Sequence, residues 1–511
     1  MPERLEIDGR SPISYDSAHE EEYNVINRLS YLPAIHKLYD DLWAQRNSIA
    51  ALVKHHLRLR SQDTCSVLPT DQWIRGGFNL CVLVQVVSSG VSRKLVFRCP
   101  MPHKVKGIVD EKLSCEVGAY VWMQENCPAI RIPHLFGFGF TDGRSFTHAK
   151  CRPFHIRVRR VFWRFIRNFL QLPLLSQYTY HPATDKTHYA YTLLEYIGPE
   201  TGEMLQNTWE KQRSNPAQRR RLFRGMAKIV LSLARIPQPK IGSFQFNYDG
   251  TITLSNRALS CSIAILENDG AKRVMQKNDT YNCTDSFVSD MITFHDNRFL
   301  NQPNAINNEN DCRGQMTVKA LLRVIAPRYI QRGYRCGPFL LQLTDFSQGN
   351  IFVDRDWNIT CLIDLEWICA LPVEMLNVPY WLTGCAIDEI QGSHYNEYDE
   401  VRQEFIRILE EEEQTIIATH KISVSRNMNK MWETKGMWFW HCISSVNAMY
   451  YLLETHLCPL STAAEKVISN FWDKNAGEVV EKKLADRSKY DEELKACFVS
   501  AGSCHDRPNV P

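Results

Sequence analysis

The stretch LQLTDFSQGNIFVDRDWNITCLIDLEWICALP (341–372) decides how this chain is read. Its centre predicts a hairpin: Ile351, Phe352 and Val353 form one short strand, Asp354, Arg355 and Asp356 a turn, and residues 359–363 a second strand. Three polar groups bracket it, since Asp345 precedes the hairpin, Asn350 enters it and Asp364 leaves it. Phosphoryl transfer uses such a set: one carboxylate aligns a hydroxyl and takes its proton, while a carboxylate and an amide oxygen hold Mg²⁺ against nucleotide phosphates. Each of these residues alone is an ordinary turn former. Their combined spacing is what points to chemistry.

Asp345 and Asn350 follow the D-x-x-x-x-N pattern, and Asp364 lies nineteen positions after Asp345. In these features the chain resembles the aminoglycoside phosphotransferase and choline kinase-like family, in particular fungal proteins with a phosphotransferase-enzyme-family domain. The resemblance spans roughly 72–415. The family string H-G-D-x-x-x-x-N, followed by I-D-x-E, is matched by Leu343-Thr344-Asp345, Asn350 and Ile363-Asp364-Leu365-Glu366. It implies an α+β, protein-kinase-like bilobal fold, with a small β-rich lobe before a larger helical one. It also implies Asp345 as catalytic base, Asn350 and Asp364 as metal ligands, and ATP and Mg²⁺ as cofactors.

Working outward, the segment before the catalytic stretch supplies the other elements the resemblance calls for. Runs 81–87 (CVLVQVV) and 93–100 (RKLVFRCP), joined by Ser88-Ser89-Gly90, predict an antiparallel pair. Helix periodicity in 111–127 (EKLSCEVGAYVWMQENC) and β-like runs at 132–140 and 189–197 complete a small mixed lobe. Gly76 and Gly77, with Phe78 and Asn79, precede the first strand; two glycines there permit backbone N–H groups to approach phosphate oxygens. The resemblance makes this turn the nucleotide-covering loop and Arg98, held by Glu116, the cation on the nucleotide phosphates. Arginine there is not equivalent to the lysine of protein kinases, because its planar head reaches differently. The strand between the lobes assigns backbone groups of Glu195 and Ile197 to the adenine edge.

Two departures separate the chain from close relatives of that pattern. Leu343 stands where the family has histidine, which bears on activity more than on fold. Arginine is absent before Asp345 and no A-P-E segment follows Asp364, which argues against a conventional protein kinase. The leading reading is a kinase acting on the hydroxyl of a small-molecule acceptor. The alternative is a catalytically weak nucleotide-binding or scaffold protein.

The remaining regions frame this unit as an N-terminal extension (1–71), a first lobe (72–196) with a basic insertion at 141–186, a second lobe (197–475) and a C-terminal tail (476–511). The first twenty residues are expected to be mobile, whereas Ile35, Leu38, Leu42, Ile49, Leu52 and Val53 recur at helical spacing after a start near Pro33. Residues 219–236 read as helix. Residues 261–311, rich in Asn and Asp, read as a long loop near the cleft. In 153–170, Arg157, Arg159, Arg160, Arg164 and Arg167 alternate with Val161, Phe162, Trp163, Phe165 and Ile166. That pattern suits arginines snorkelling over a helix docked on its own protein, or contact with an anionic membrane or partner. The acidic run 410–413 reads as a solvated helix face or as an attractor for a cationic acceptor.

Bulk properties narrow the classes further. Sixty basic and 57 acidic residues leave a net charge of +3, far from the excess of a nucleic-acid binder. Seventeen cysteines without a C-x-x-C pair argue against a disulfide framework or structural zinc, and predict a reducing, cytoplasmic setting. The polar N-terminus carries no secretory pattern. The apolar stretch 437–453 (MWFWHCISSVNAMYYLL) is short for a membrane span and predicts a buried helix rather than a transmembrane segment.

Overall fold

The computed structural model describes residues 4–415 and 422–505. Alternating apolar residues in Asn79–Ser88 and Val91–Pro100 make the centre of an antiparallel sheet. Its order is Thr64–Val67, Asn79–Ser88, Val91–Pro100, Tyr191–Glu195, Leu135–Gly139, Ser145–His148 and Tyr178–Tyr180, with Ile74–Arg75 also pairing with Asn79–Ser88. The predicted hairpin forms in register Val82 with Phe97, and Ser89 and Gly90 both take positive φ at its turn.

Period-two alternation sorts the two faces of this sheet. Leu80, Val82, Val84, Leu95 and Phe97 pack with Ile35, Leu38, Leu42, Ile49, Leu52 and Val53 from helices Tyr31–Ala44 and Arg46–Leu57. Arg98, one residue on from Phe97, therefore points to the other face, where helix Val109–Asn126 lies. This helix is buried on nearly every side, because beyond it stand the hairpin Ser243–Phe246 with Ile252–Asn256 and then a mainly helical region. Gly118 permits the approach: a Cβ there would sit 2.9 Å from backbone atoms of Phe244.

The helical region contains Pro216–Ala234, Glu309–Tyr329, Ser393–Thr415, Val424–Glu433 and Gly436–Ser444. The apolar stretch at 437–453 is buried as expected, but it breaks after Ser444 and resumes at Met449–Leu452. Among the described residues no helix is long and apolar enough to cross a membrane.

Three regional expectations are corrected. Residues 4–20 are ordered: Leu5 bridges Ile13, Tyr15–Glu20 is helical, and Ile7, Ile13, Ala18 and Val25 pack on Tyr490, Leu494 and Phe498 of the C-terminal helix Ala476–His505. Their apolar residues find a partner nearly five hundred positions away, which local pattern does not reveal. Residues 261–311 are mostly helical, as Cys261–Asn268, Thr284–Asn301 and the start of Glu309–Tyr329. There the Asn and Ser residues act as caps: Ser260 accepts from Ile263 N, and Asn308 from Asp311 N. The third correction concerns 153–170. It is a helix, Phe154–Phe169, but Arg160, Arg164 and Arg167 face the protein and its phenylalanines face outward.

Candidate functional site

Residues 341–372 fold largely as their turn chemistry dictates. Ile351–Val353 pairs with Ile359–Leu362, and Asp354 closes the turn by accepting from Asp356 N and Asn358 N, each at 2.9 Å. The loop carrying Asp345 leaves strand Leu340–Leu343, which pairs with Ile368–Leu371. Thr344 Oγ1 donates to Trp367 O at 2.8 Å and Trp381 Nε1 donates to Phe346 O at 2.6 Å, so both sides of Asp345 are held. Leu343 itself packs on the core and against this loop.

Asn350 and Asp364 arrive together because the hairpin returns the chain. Asn350 Nδ2 donates to Asp345 O at 2.9 Å, and Ile363 N donates to Asn350 O at 2.9 Å. Asp364 holds φ at +61°, a conformation uncommon outside glycine and asparagine that is kept only where its surroundings impose it. Its Oδ1 accepts from Arg98 Nη2 at 2.6 Å.

Arg98 also donates to Glu116 and lies 3.2 Å from Glu366 Oε2. Lys112 pairs with Glu366 and donates to Asn79 Oδ1 at 3.0 Å, while Asn79 Nδ2 donates to Glu366 Oε2 at 2.8 Å. Arg98, Lys112, Glu116, Glu366 and Asn79 are all buried. Three carboxylates thus meet two cations, leaving one negative charge in excess. Burial raises the Asp364 carboxyl against the pull of Arg98, and Glu366 and Glu116 add to the rise. Burial likewise raises Asp345, with Glu366 contributing, although its bond with Asn350 opposes the shift. Glu366 moves the other way, because Lys112 and Arg98 outweigh its burial.

This donor set fits a hard divalent cation. Asp364 retains one carboxylate oxygen beyond the Arg98 bond, Asn350 retains its amide oxygen, and local charge is negative. Among the described residues no group of three or more His, Cys, Asp or Glu side chains is gathered for a metal. Two protein oxygens are enough for Mg²⁺, which keeps waters and phosphate oxygens as its other ligands.

The other predicted residues divide. Arg98 and Glu116 join Asp364 directly, and Asn79 joins them through its side chain. Gly76 and Gly77 form an exposed turn closed by Gly76 N to Asn79 O at 2.9 Å, and Phe78 packs edge-on against Trp367. Glu195 ends its strand on the far side of the sheet from these contacts. Its N–H donates to His134 O, and its carboxylate takes Arg131 and His134 N, which leaves any role at an adenine edge to its carbonyl. Ile197 follows two residues later, half-buried. Lys112 escaped the sequence reading; its place one turn before Glu116 was the available signal. Glu366 carries no local signal beyond its place in the I-D-x-E string.

A cavity of about 220 Å³ opens beside Asp345, walled by Leu343, Phe346, Val378, Trp381 and His441 among others. The His441 imidazole is pulled down to about 4 by burial, and its Nε2 lacks a partner among the described residues. The acidic run lies elsewhere in role: Glu411 and Glu412 pair with Arg224, and Glu413 accepts from Val424 N and from Ser425. These contacts brace the helices that carry them.

Compared by sequence with family models and with curated proteins, the chain matches none. Compared by structure, it is similar to an ethanolamine kinase from Plasmodium vivax at 10% identity and a TM-score of 0.36, over 82% of this chain and 84% of that one.

Proposed function

We propose that this protein is an ATP- and Mg²⁺-dependent phosphotransferase acting on the hydroxyl of a small molecule, built as an aminoglycoside-phosphotransferase-like kinase with lobes at 72–196 and 197–475. The observation that carries the reading is the buried Arg98–Glu116 pair reaching Asp364 at 2.6 Å, beside an Asn350 tied to Asp345. Such a pair fixes a cation where nucleotide phosphates meet a metal. Mg²⁺ held by Asn350 and Asp364 would neutralise charge on the phosphates. Asp345, raised by burial, takes the proton of the acceptor hydroxyl as its oxygen bonds to the γ-phosphorus and ADP departs. The Gly76-Gly77-Phe78 turn covers the phosphates, and the Glu195 carbonyl and Ile197 backbone meet the adenine edge. The cavity beside Asp345 supports a largely apolar acceptor, with His441 Nε2 as one polar contact.

A second reading, a nucleotide-binding protein without turnover, is favoured by one observation: Arg98 already occupies an oxygen of Asp364. The deciding experiment measures thermal stabilisation by ATP with and without Mg²⁺, followed by loss of γ-phosphate from ATP in a metabolite extract. Transfer abolished by Asp345→Asn, with nucleotide binding retained, supports the kinase. Mg²⁺-dependent binding with no transfer in any extract supports the second reading, and no ATP binding sinks both.

A further inference from the structure

Residues 143–184 contain eight Arg or Lys and no Asp or Glu, and the helix Phe154–Phe169 lies at their centre. The helix attaches to the protein through its arginines. Arg160 Nε donates to Ser176 O and Arg160 Nη2 to Tyr178 O, both at 2.7 Å; Arg164 Nε donates to Leu175 O at 3.0 Å and Arg167 Nε to Pro173 O at 3.2 Å. Arg164 also pairs with Glu125 at 2.6 Å. With the polar face consumed in docking, Phe154, Val158, Val161, Phe162, Phe165 and Phe169 follow i, i+4, i+7, i+8, i+11 and i+15 and form one stripe directed away from the protein. Phe154, Phe165 and Phe169 are 76%, 70% and 77% exposed. Leu170 and Leu172 prolong the stripe. An apolar surface of this extent is rare on a chain with nothing to cover it.

Charge says what covers it. On a helical wheel Arg157 borders one edge of the stripe and Arg159 the other, and both are exposed. Behind Arg159, a cavity of about 490 Å³ is lined by Arg152, Arg159, Arg160 and Arg167 with Tyr180 and Tyr248. Arg152 Nε is buried there without a partner among the described residues. Among the described residues Asp249 is the one carboxylate lining that cavity, and its Oδ1 accepts from Thr251 N and Thr251 Oγ1. Arg160 is pulled down to about 10, by burial first and then by Arg164, with Asp249 opposing the shift and Arg167 and Arg159 adding to it. An aromatic stripe flanked by exposed arginines complements a layer whose interior is hydrocarbon and whose surface is anionic.

We infer that the helix Phe154–Phe169 is a membrane-surface anchor that lays its phenylalanine stripe into an anionic phospholipid bilayer, with Arg157 and Arg159 on the headgroup phosphates. It lies in the interface plane and does not cross. The inference is independent of whether the chain transfers phosphate.

The full chain is sedimented with vesicles of phosphatidylcholine alone and of phosphatidylcholine with about one part in four phosphatidylserine, and its mass is measured by light scattering without lipid. Expected is binding to the anionic vesicles that weakens about tenfold or more on neutral vesicles, in Phe162→Glu/Phe165→Glu and in Arg157→Glu/Arg159→Glu. Circular dichroism of both variants should match the parent, since all four side chains are exposed. Recovery in the supernatant with both vesicles overturns the proposal, as does binding that either double variant leaves undiminished. A mass of twice 59.3 kDa that Phe162→Glu/Phe165→Glu halves overturns it in favour of a second copy on the same face.

Discussion

Asn79 Nδ2 donates to Glu366 Oε2 at 2.8 Å, joining two residues 287 positions apart. The bond ties the strand after the glycine turn to the segment after Asp364, and Glu366 serves Lys112 and Arg98 as well. Glu366→Ala is expected to destabilise the fold by about 3–5 kcal/mol, because it leaves buried cations short of a counter-charge. Glu366→Gln, which keeps shape and an acceptor for Lys112, should cost less. Urea unfolding tests both, and a loss below about 1 kcal/mol for the alanine variant would refute this account of the cluster.

Gly118 places helix Val109–Asn126 against the Phe244 backbone, and that helix carries Lys112 and Glu116. Gly118→Ala gains helix propensity, yet its methyl would meet backbone atoms at 2.9 Å. The clash should win, with a net loss of about 1–3 kcal/mol. A variant as stable as the parent would show that the helix and the 243–256 hairpin separate easily.

His56, fully buried on the helix Arg46–Leu57, shares short hydrogen bonds of 2.7 Å with Thr147 Oγ1 and with Tyr191 OH. Burial pulls it down to about 3 from 6.5, with His55 and His181 adding to the shift. The folded state therefore refuses a proton that the unfolded chain accepts below pH 6.5, so stability falls as pH drops from 6.5 towards 3. Linkage puts the loss at about 2 kcal/mol by pH 5 for this one imidazole. Urea midpoints between pH 7 and 5 should fall for the parent and less steeply for His56→Gln. Equal slopes would assign the acid sensitivity to other groups, such as His148 and His295, which burial also pulls down to about 3.

Tyr490 OH accepts from Val25 N at 3.0 Å, and its ring packs among Ile7, Ile13, Ala18 and Val25. Tyr490→Ala should release the N-terminal segment locally at a cost of about 3–5 kcal/mol. Limited proteolysis would then cut within the first 24 residues of the variant before the parent. Identical cleavage patterns would show that Arg487, which donates to His19 O at 2.8 Å, holds the segment without the tyrosine.

Much of this arrangement is local and was legible in the sequence. The hairpin 351–362, the pair of long strands around Gly90 and the helix through Glu116 follow from turn residues and periodicity within a few positions, and the spacing of Asp345, Asn350 and Asp364 follows with them. Other features depend on partners far along the chain. Lys112 and Glu366 read as an unremarkable helix cation and a motif letter until folding buries them against each other. The Asn-rich stretch 261–311 reads as a loop because Asn and Ser favour turns and caps alike, and only context shows which ends are caps.

Which residues share a face of each helix and strand follows from side-chain periodicity, a property of the backbone. Which of those faces turns inward depends on the partners that long-range packing brings to it. For Phe154–Phe169 the usual preference is reversed, because carbonyls of Pro173, Leu175, Ser176 and Tyr178 accept the arginines and leave the phenylalanines outside. For Arg98 and Asp364, 266 positions apart, proximity itself was the decision of the fold, and no periodicity carries information over that distance.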